Sequence, residues 1–261
     1  MSFTDSHAHL DDLRFDSDRD AVVERAYAAD VARILTIAEA TQPAAVEKTM
    51  VLVSEHNFLW MALGIHPHEA RHATGALLDE VENLARQPRL LAWGEIGLDY
   101  HYDHSPRDVQ QSVFREQLQR ARGVRLPVIL HCREAWDEGL RILDEEWAAS
   151  GLGGILHCFS GTPEIARRAL DWGFLISFAG NVTFPRAEAL RTAAAAVPLE
   201  RLLIETDCPY LAPQTVRGKR NEPAFVVEVA AELGRLHNLS CEEMGARTTE
   251  NFLRLFPQAR T

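Results

Sequence analysis

Seven residues of this chain have the chemistry to hold metal ions and fall at comparable places in their surroundings: His7 and His9 in "FTDSHAHL", His66 in "LWMALGIH", Glu95 in "LLAWGEIG", His131 in "PVILHC", His157 in "GGILHCF" and Asp207 in "LLIETD". Each ends, or nearly ends, a short apolar run rich in β-branched residues. If the first run is a strand, its alternation puts Asp5, His7 and His9 on one face, two residues apart. Imidazoles and carboxylates together suit divalent transition metals. The donors of His7, His9, Glu95, His131, His157 and Asp207 exceed what one four-coordinate zinc can use. Two ions are therefore expected, with Glu95 placed to bridge them about 3.5–4 Å apart, the separation used by two-metal hydrolases. Such a pair lowers the pKa of water and supplies hydroxide near neutral pH, and Asp207 would orient that water, take its proton, or serve only as a ligand.

The elements that must position these residues alternate regularly. Eight strand-like runs are expected at 3–10, 33–38, 59–66, 90–97, 127–132, 153–159, 174–180 and 202–207. Between them lie helical segments such as "PAAVEKTMVLVSEH" and "PRDVQQSVFREQLQRARGV", several opening on Pro or Thr-Pro and closing at Gly or Asn. Strand and helix alternating eight times within about 250 residues predicts an α/β fold, a (β/α)8 TIM-like barrel. An open doubly wound sheet would carry a glycine-rich phosphate loop after its first strand, where this chain reads "HAHLDDLRF". "SCEEMGARTTENFLRLF" adds a C-terminal helix with a Ser cap and Glu three residues on, a capping box. No linker interrupts the pattern, so residues 1–261 read as one domain. A barrel collects its chemistry at the carboxyl ends of the strands, which is where the seven residues fall.

Composition narrows the function classes. A hydrophobic share of 46% and a charged share of 25% are those of a globular protein, and the net charge of −11 argues against a broad basic surface for gripping duplex DNA. No apolar run approaches the roughly 18 residues of a membrane span. Four scattered cysteines, Cys132, Cys158, Cys208 and Cys241, fit a reducing compartment and a cytoplasmic location. Alternation turns Cys132 and Cys158 outward from the site, against the helical ring. The only lysines are Lys48 and Lys219, neither at a strand end, so a carboxylated lysine bridge is not available. Nothing calls for a membrane or an obligate protein partner.

Together "DSHAHLD", "GIHPH", "GEIGLDY", "LHCRE", "LHCFSG", "ETDCPYL" and "RGKRNEP" resemble the TatD family of metal-dependent hydrolases, within the amidohydrolase-like barrels. The likeness runs from residue 5 to about 223, with "TTENFLRLF" similar to the family's closing helix. It implies a TIM-like barrel, two divalent metals (Zn, Mn, Fe or Mg) and hydrolysis, with deoxyribonuclease activity in some members. Carried over by position, one metal takes His7, His9, Glu95 and Asp207, the other Glu95, His131 and His157.

Glu95 and Asp207 are thus the expected catalytic residues. Phosphate donors are expected in His66, Arg133 and Arg220, with Arg217 a further candidate in the loop after strand 8, because the guanidinium fork matches phosphate. Glu205, on the face of Asp207, would support a ligand or simply pack. Asp99 would contact substrate or hold its loop, whose tyrosines would stack on an unpaired base or pack. His56, His72, His101, His104 and His237 read as solvated or capping residues. The expected substrate is a phosphodiester, single-stranded or terminal nucleic acid. The alternative is an amide, ester or lactone, aminoacyl-tRNA included. A barrel with purely structural metals fits less well, because structural sites close their coordination whereas this one sits at an open mouth.

Overall fold

The computed structural model describes residues 2–260. Eight parallel strands pair in chain order: β1 (Phe3–Ala8), β2 (Val31–Glu39), β3 (Leu59–Gly64), β4 (Leu90–Asp99), β5 (Val128–Arg133), β6 (Gly154–Leu156), β7 (Phe174–Phe178) and β8 (Leu202–Ile204). The ring closes between the first and last segments, where Ala8 and Cys208 form a parallel bridge. There the His9 N–H donates to the Cys208 carbonyl at 2.8 Å and the Asp207 N–H to the His7 carbonyl at 2.9 Å. The hydrogen bonds that shut the barrel thus join the segments carrying His7, His9 and Asp207.

Helices α1 (Arg19–Ala28), α2 (Pro43–Glu55), α3 (Gly75–Leu84), α4 (Arg107–Val124), α5 (Trp136–Glu146), α6 (Pro163–Asp171), α7 (Glu188–Ala196) and α8 (Val226–His237) follow the strands in turn, and α9 (Cys241–Leu255) is the additional C-terminal helix. Their ends obey local chemistry. Pro43 and Pro163 open α2 and α6, the Thr74 and Thr162 hydroxyls accept from the N–H of Leu77 and Ile165, and Ser240 with Glu243 forms the expected capping box on α9.

The apolar residues fall into two layers. One fills the space between strands and helices. The other lies inside the barrel, where Leu35, Ile37, Trp60, Leu91, Ile129, Ile155, Leu175 and Leu203 meet Phe252 and Leu253 of α9 and Phe256 just beyond it. The α9 residue Asn251 donates to the carbonyls of Leu199 and Leu202 at the start of β8, so this helix stoppers the amino ends of the strands. Only the carboxyl ends remain open for chemistry.

Several strands stop short of their expected ends. β1, β6 and β8 close before His9, His157 and Asp207, and left-handed backbone follows β6 at Cys158 (φ 43°) and β8 at Asp207 (φ 54°). Strand alternation also fails at β1. Asp5 pairs with Ile34 and Ala8 with Thr36, so three residues advance against two, a β-bulge. Asp5 therefore does not join His7 and His9. Its carboxylate accepts the Thr206 N–H at 2.8 Å and hydroxyl at 2.6 Å, tying β1 to the segment after β8. A like irregularity lies between Trp93 and Ile96 of β4, where two glycines permit close approach. A Cβ on Gly94 would stand 2.6 Å from Ile129 Cβ, and one on Gly97 (φ +141°) only 1.9 Å from the His131 carbonyl oxygen.

Candidate metal centre

Glu95 lies at the middle of the mouth, and its two carboxylate oxygens face different partners. Oε2 is 3.3 Å from His7 Nε2 and 4.0 Å from His9 Nε2. Oε1 is 2.7 Å from His157 Nε2, 2.9 Å from His131 Nδ1 and 3.4 Å from His66 Nε2. Around the first group, His7 Nε2 and His9 Nε2 stand 3.2 Å apart and Asp207 Oδ1 is 3.4 Å from His9 Nε2. Around the second, His131 Nδ1 and His157 Nε2 are 3.3 Å apart. Ring nitrogens bound to one tetrahedral ion at about 2.0–2.1 Å would stand roughly 3.3–3.4 Å from each other, so these separations are those of a coordination shell.

The electrostatics agree. Burial alone would raise the Glu95 pKa, but the charges of His157, His66 and His7 and a hydrogen bond from His131 outweigh it, and the carboxyl sits well below its usual range. Burial opposes charge on His157 too, yet Glu95 and Glu205 raise it well above an ordinary imidazole. For His9 the loss of solvent is outweighed by Asp207, and its pKa is raised to about 9. Burial and the neighbouring His157 lower the pKa of His7 instead, so the pull toward positive charge is local to the nitrogens that face carboxylates, which is where a divalent cation would be favoured. His7 Nδ1 is buried without a hydrogen-bond partner, which leaves the orientation of its ring to whatever Nε2 binds. The donor set fits metal ions.

The ring tautomers follow from outer contacts. His131 Nε2 is 3.1 Å from Asp99 Oδ2, and an ionised carboxylate only accepts, so a proton stays on Nε2, and Nδ1, which otherwise donates to Glu95, is the nitrogen that would give up its proton to bind a metal. Glu205 lies on the outer side of His157: its Oε1 is 3.3 Å from Nδ1, too poorly aligned for a hydrogen bond, and accepts the Cys158 N–H at 2.6 Å. His66 is different, because its Nδ1 accepts the His68 N–H at 3.1 Å. Its neutral ring therefore carries the proton on Nε2 and is a donor toward the mouth, and burial pushes its pKa down to about 4.

Thus His7, His9, Glu95, His131, His157 and Asp207 come together, with His66 against them. Arg133 stands at the rim with its guanidinium 4.8 Å over the Tyr102 ring, and no ion pair to a carboxylate is formed by it among the described residues. Arg220 departs from expectation. Its fork is engaged with Asp18 at 2.7 and 2.8 Å, with Glu222 at 2.9 Å and with the Arg14 carbonyl, over the Phe15 ring. It fastens α1 to the loop after β8, with both terminal nitrogens of its fork taken up by these contacts. Arg217 lies over Phe184. Cys132 faces α5 as expected, its Sγ 3.2 Å from where a Gly139 Cβ would be. Cys158 lies past the end of β6, beyond the reach of strand alternation, and burial, helped by the charges of Asp207, Glu205 and Glu95, raises its pKa. Asp99 is a keystone of its loop, accepting the His101 and Tyr102 N–H groups on Oδ1 and meeting the His68 ring at 2.9 Å on Oδ2. His68 was not singled out by sequence reasoning, although its two-residue spacing from His66 in "GIHPH" repeats that of His7 and His9.

A parallel eight-stranded barrel with a carboxylate-bridged cluster of imidazoles at its open end defines a class, the metal-dependent hydrolase barrels. The model of the family described as TatD related DNase matches residues 4–257. An uncharacterized metal-dependent hydrolase of Bacillus subtilis, YabD, is 42% identical over 252 residues, covering 97% of this chain and 98% of its own. A Klebsiella pneumoniae protein named 3'-5' ssDNA/RNA exonuclease TatD is 34% identical over 257 residues, covering 97% of each. The crystal structure of YjjV, a TatD homolog from Escherichia coli, superposes with a TM-score of 0.90 at 32% identity, covering 98% of both chains. The chain belongs to the TatD family of metal-dependent hydrolases. No helix among the described residues is long and apolar enough to cross a membrane.

Proposed function

We propose that the chain, as a single domain, is a phosphodiesterase acting on single-stranded or terminal nucleic acid with two divalent ions. His7, His9, Glu95 and Asp207 would hold one ion, and Glu95, His131 and His157 the other. The observation that carries this reading is the division of Glu95, whose Oε2 meets one set of donors while Oε1 meets the second. Four imidazoles in the set favour Zn, Mn or Fe over Mg. When bound, the ions supply Lewis acidity and make hydroxide available near neutral pH.

The protein's own groups do the rest. Burial would raise the Asp207 pKa, but the hydrogen bond from His9 and the charges of His7 and His157 hold it below the usual range. Ionised and 3.4 Å from His9, it accepts the proton of the attacking water. The Nε2–H of His66 and the guanidinium of Arg133 donate to phosphate oxygens. A relative named for exonuclease action on ssDNA and RNA supports the substrate class, and four free cysteines support a reducing, cytoplasmic setting.

The test compares metal-reconstituted protein on a bis-aryl phosphodiester, a labelled single-stranded oligonucleotide and a panel of cyclic amides. Turnover of the phosphodiesters, abolished by Glu95→Gln, is expected. Turnover of amides alone would overturn the reading in favour of amide or lactone hydrolysis.

A further inference from the structure

We propose that the mouth carries two base-stacking platforms on opposite rims, Tyr210 with Arg14 on one, Tyr102 with Arg133 on the other. The substrate they select is a single strand with an unpaired base on each side of the scissile phosphodiester. The inference rests on the phosphodiesterase reading and adds what the mouth recognises besides phosphate.

In a ring of eight strands paired in chain order, the seam between β8 and β1 lies across from the pair β4 and β5. Leu13 and Arg14 follow β1 and Tyr210 follows β8, whereas Tyr102 follows β4 and Arg133 ends β5. Each tyrosine is fastened to an aspartate of the centre three residues before it. The Tyr210 N–H donates to the Asp207 carbonyl and the Tyr102 N–H to Asp99 Oδ1, both at 2.9 Å. Each ring also stands nearly perpendicular to a histidine of the mouth, Tyr210 at 6.0 Å from His9 and Tyr102 at 5.5 Å from His68. The row from Tyr210 through His9, Glu95 and His131 to Tyr102 therefore spans the opening with the metal centre between its ends.

These rings are open to solvent. Tyr210 is 48% and Tyr102 51% exposed, and Leu13, at 77%, is the most exposed of the large apolar side chains among the described residues. Apolar surface left wet beside a reaction centre is the mark of a ligand-binding face. A planar cation lies over one face of each ring, Arg14 at 4.2 Å from Tyr210 and Arg133 at 4.8 Å from Tyr102, so that the outer surface of each platform is a guanidinium plane or the opposite ring face, and His104 lies parallel to Tyr102 with centroids 5.5 Å apart. Bases stack on aromatic and guanidinium planes alike. Asp12 grips Arg14 through Nε and NH2 at 2.9 and 2.8 Å, which fixes that plane and offsets its charge, so Arg14 serves stacking more than phosphate. Bases paired in a duplex are stacked on each other and cannot occupy either platform.

The probes are a fluorescent thymidine trimer with hydrolysis-resistant methylphosphonate linkages and its abasic counterpart, titrated against metal-loaded protein. Wild type is expected to prefer the thymidine trimer by roughly tenfold. Tyr210→Ala and Tyr102→Ala should each cut that preference to about threefold and the double variant should abolish it, whereas Tyr210→Phe should retain it. Equal binding of the two trimers by wild type, or an undiminished preference in both alanine variants, would overturn the proposal. Failure of the underlying reading shows separately, as wild-type protein that leaves an ordinary phosphodiester oligonucleotide intact while hydrolysing amides.

Discussion

Replacing Asp99 by Asn should weaken one metal position and spare the other. The neutral imidazole of His131 has one proton for two nitrogens. Nε2 lies 3.1 Å from Asp99 Oδ2, while Nδ1 lies 2.9 Å from Glu95 Oε1. Burial would raise the Asp99 pKa, but hydrogen bonds from His131, His68 and the Tyr102 N–H hold it far below the ordinary range, so it is an acceptor and keeps the proton on Nε2. Asn has the same shape but only one acceptor. If its oxygen keeps the His101 and Tyr102 N–H groups, its NH2 must face His68 and His131. The His131 ring must then accept at Nε2 and turn a proton toward Glu95, where a metal would sit. Loss of an outer partner of this kind costs about 10–100-fold in metal affinity, or roughly 1.4–2.8 kcal/mol. Competitive zinc titration by calorimetry, with the absorption spectrum of the cobalt-substituted protein as a second measure, would show one ion of two weakened. His68→Leu, which removes one of two donors to Asp99 Oδ2, should have a smaller effect of the same kind. Wild-type affinity for both ions in Asp99→Asn, or equal loss of both, would refute the argument.

Arg220→Met should change kcat/KM by less than about twofold while lowering stability to urea by about 1 kcal/mol, since the fork is a partly exposed clamp on Asp18 and Glu222. The pKa of Asp18, lowered first by Arg220, and that of Glu222, lowered by Arg25 and Arg220 against its burial, make this stabilisation present at neutral pH and lost as pH falls through the carboxylate range, so the variant's stability should fall less steeply on acidification. Phe252→Ala, which empties part of the barrel floor, should cost about 3–5 kcal/mol by urea denaturation and leave activity per folded molecule near wild type. Gly97→Ala puts a Cβ against the His131 carbonyl oxygen and should lower both the thermal midpoint and the bound-metal stoichiometry.

The barrel was legible in the sequence because each strand of a parallel sheet is buried on both faces and reads as an uninterrupted apolar run, set apart by helices with ordinary caps. Eight such runs leave little choice of architecture. The cluster was legible for a related reason: a histidine or carboxylate ending an apolar run stands out, and the fold says that strand ends converge. What the sequence did not show were departures from period two. The bulge in β1 turns Asp5 away from His7, and left-handed residues past β6 and β8 place Cys158 and Asp207 by loop geometry. The partner of an arginine is equally hidden, because Asp18 meets Arg220 across more than two hundred residues of chain. Loop position alone suggested a phosphate donor; the ion pairs assign Arg220 to holding α1.

The same departures explain how a rigid barrel brings donors from opposite walls onto one carboxylate. A regular strand sends side chains to the axis at fixed heights, two residues apart. The extra residue in β1 and the irregularity beside Glu95 shift that spacing by one position on the strands that supply His7 and Glu95. Gly94 and Gly97 make the second shift possible by letting β4 run against Ile129 and His131 without a Cβ between them. The seam from β8 to β1 is then drawn shut by the backbone of His7, His9, Asp207 and Cys208. Closing the barrel and assembling one half of the centre are one event, so ions bound there should stabilise the closed ring as well as prepare the reaction.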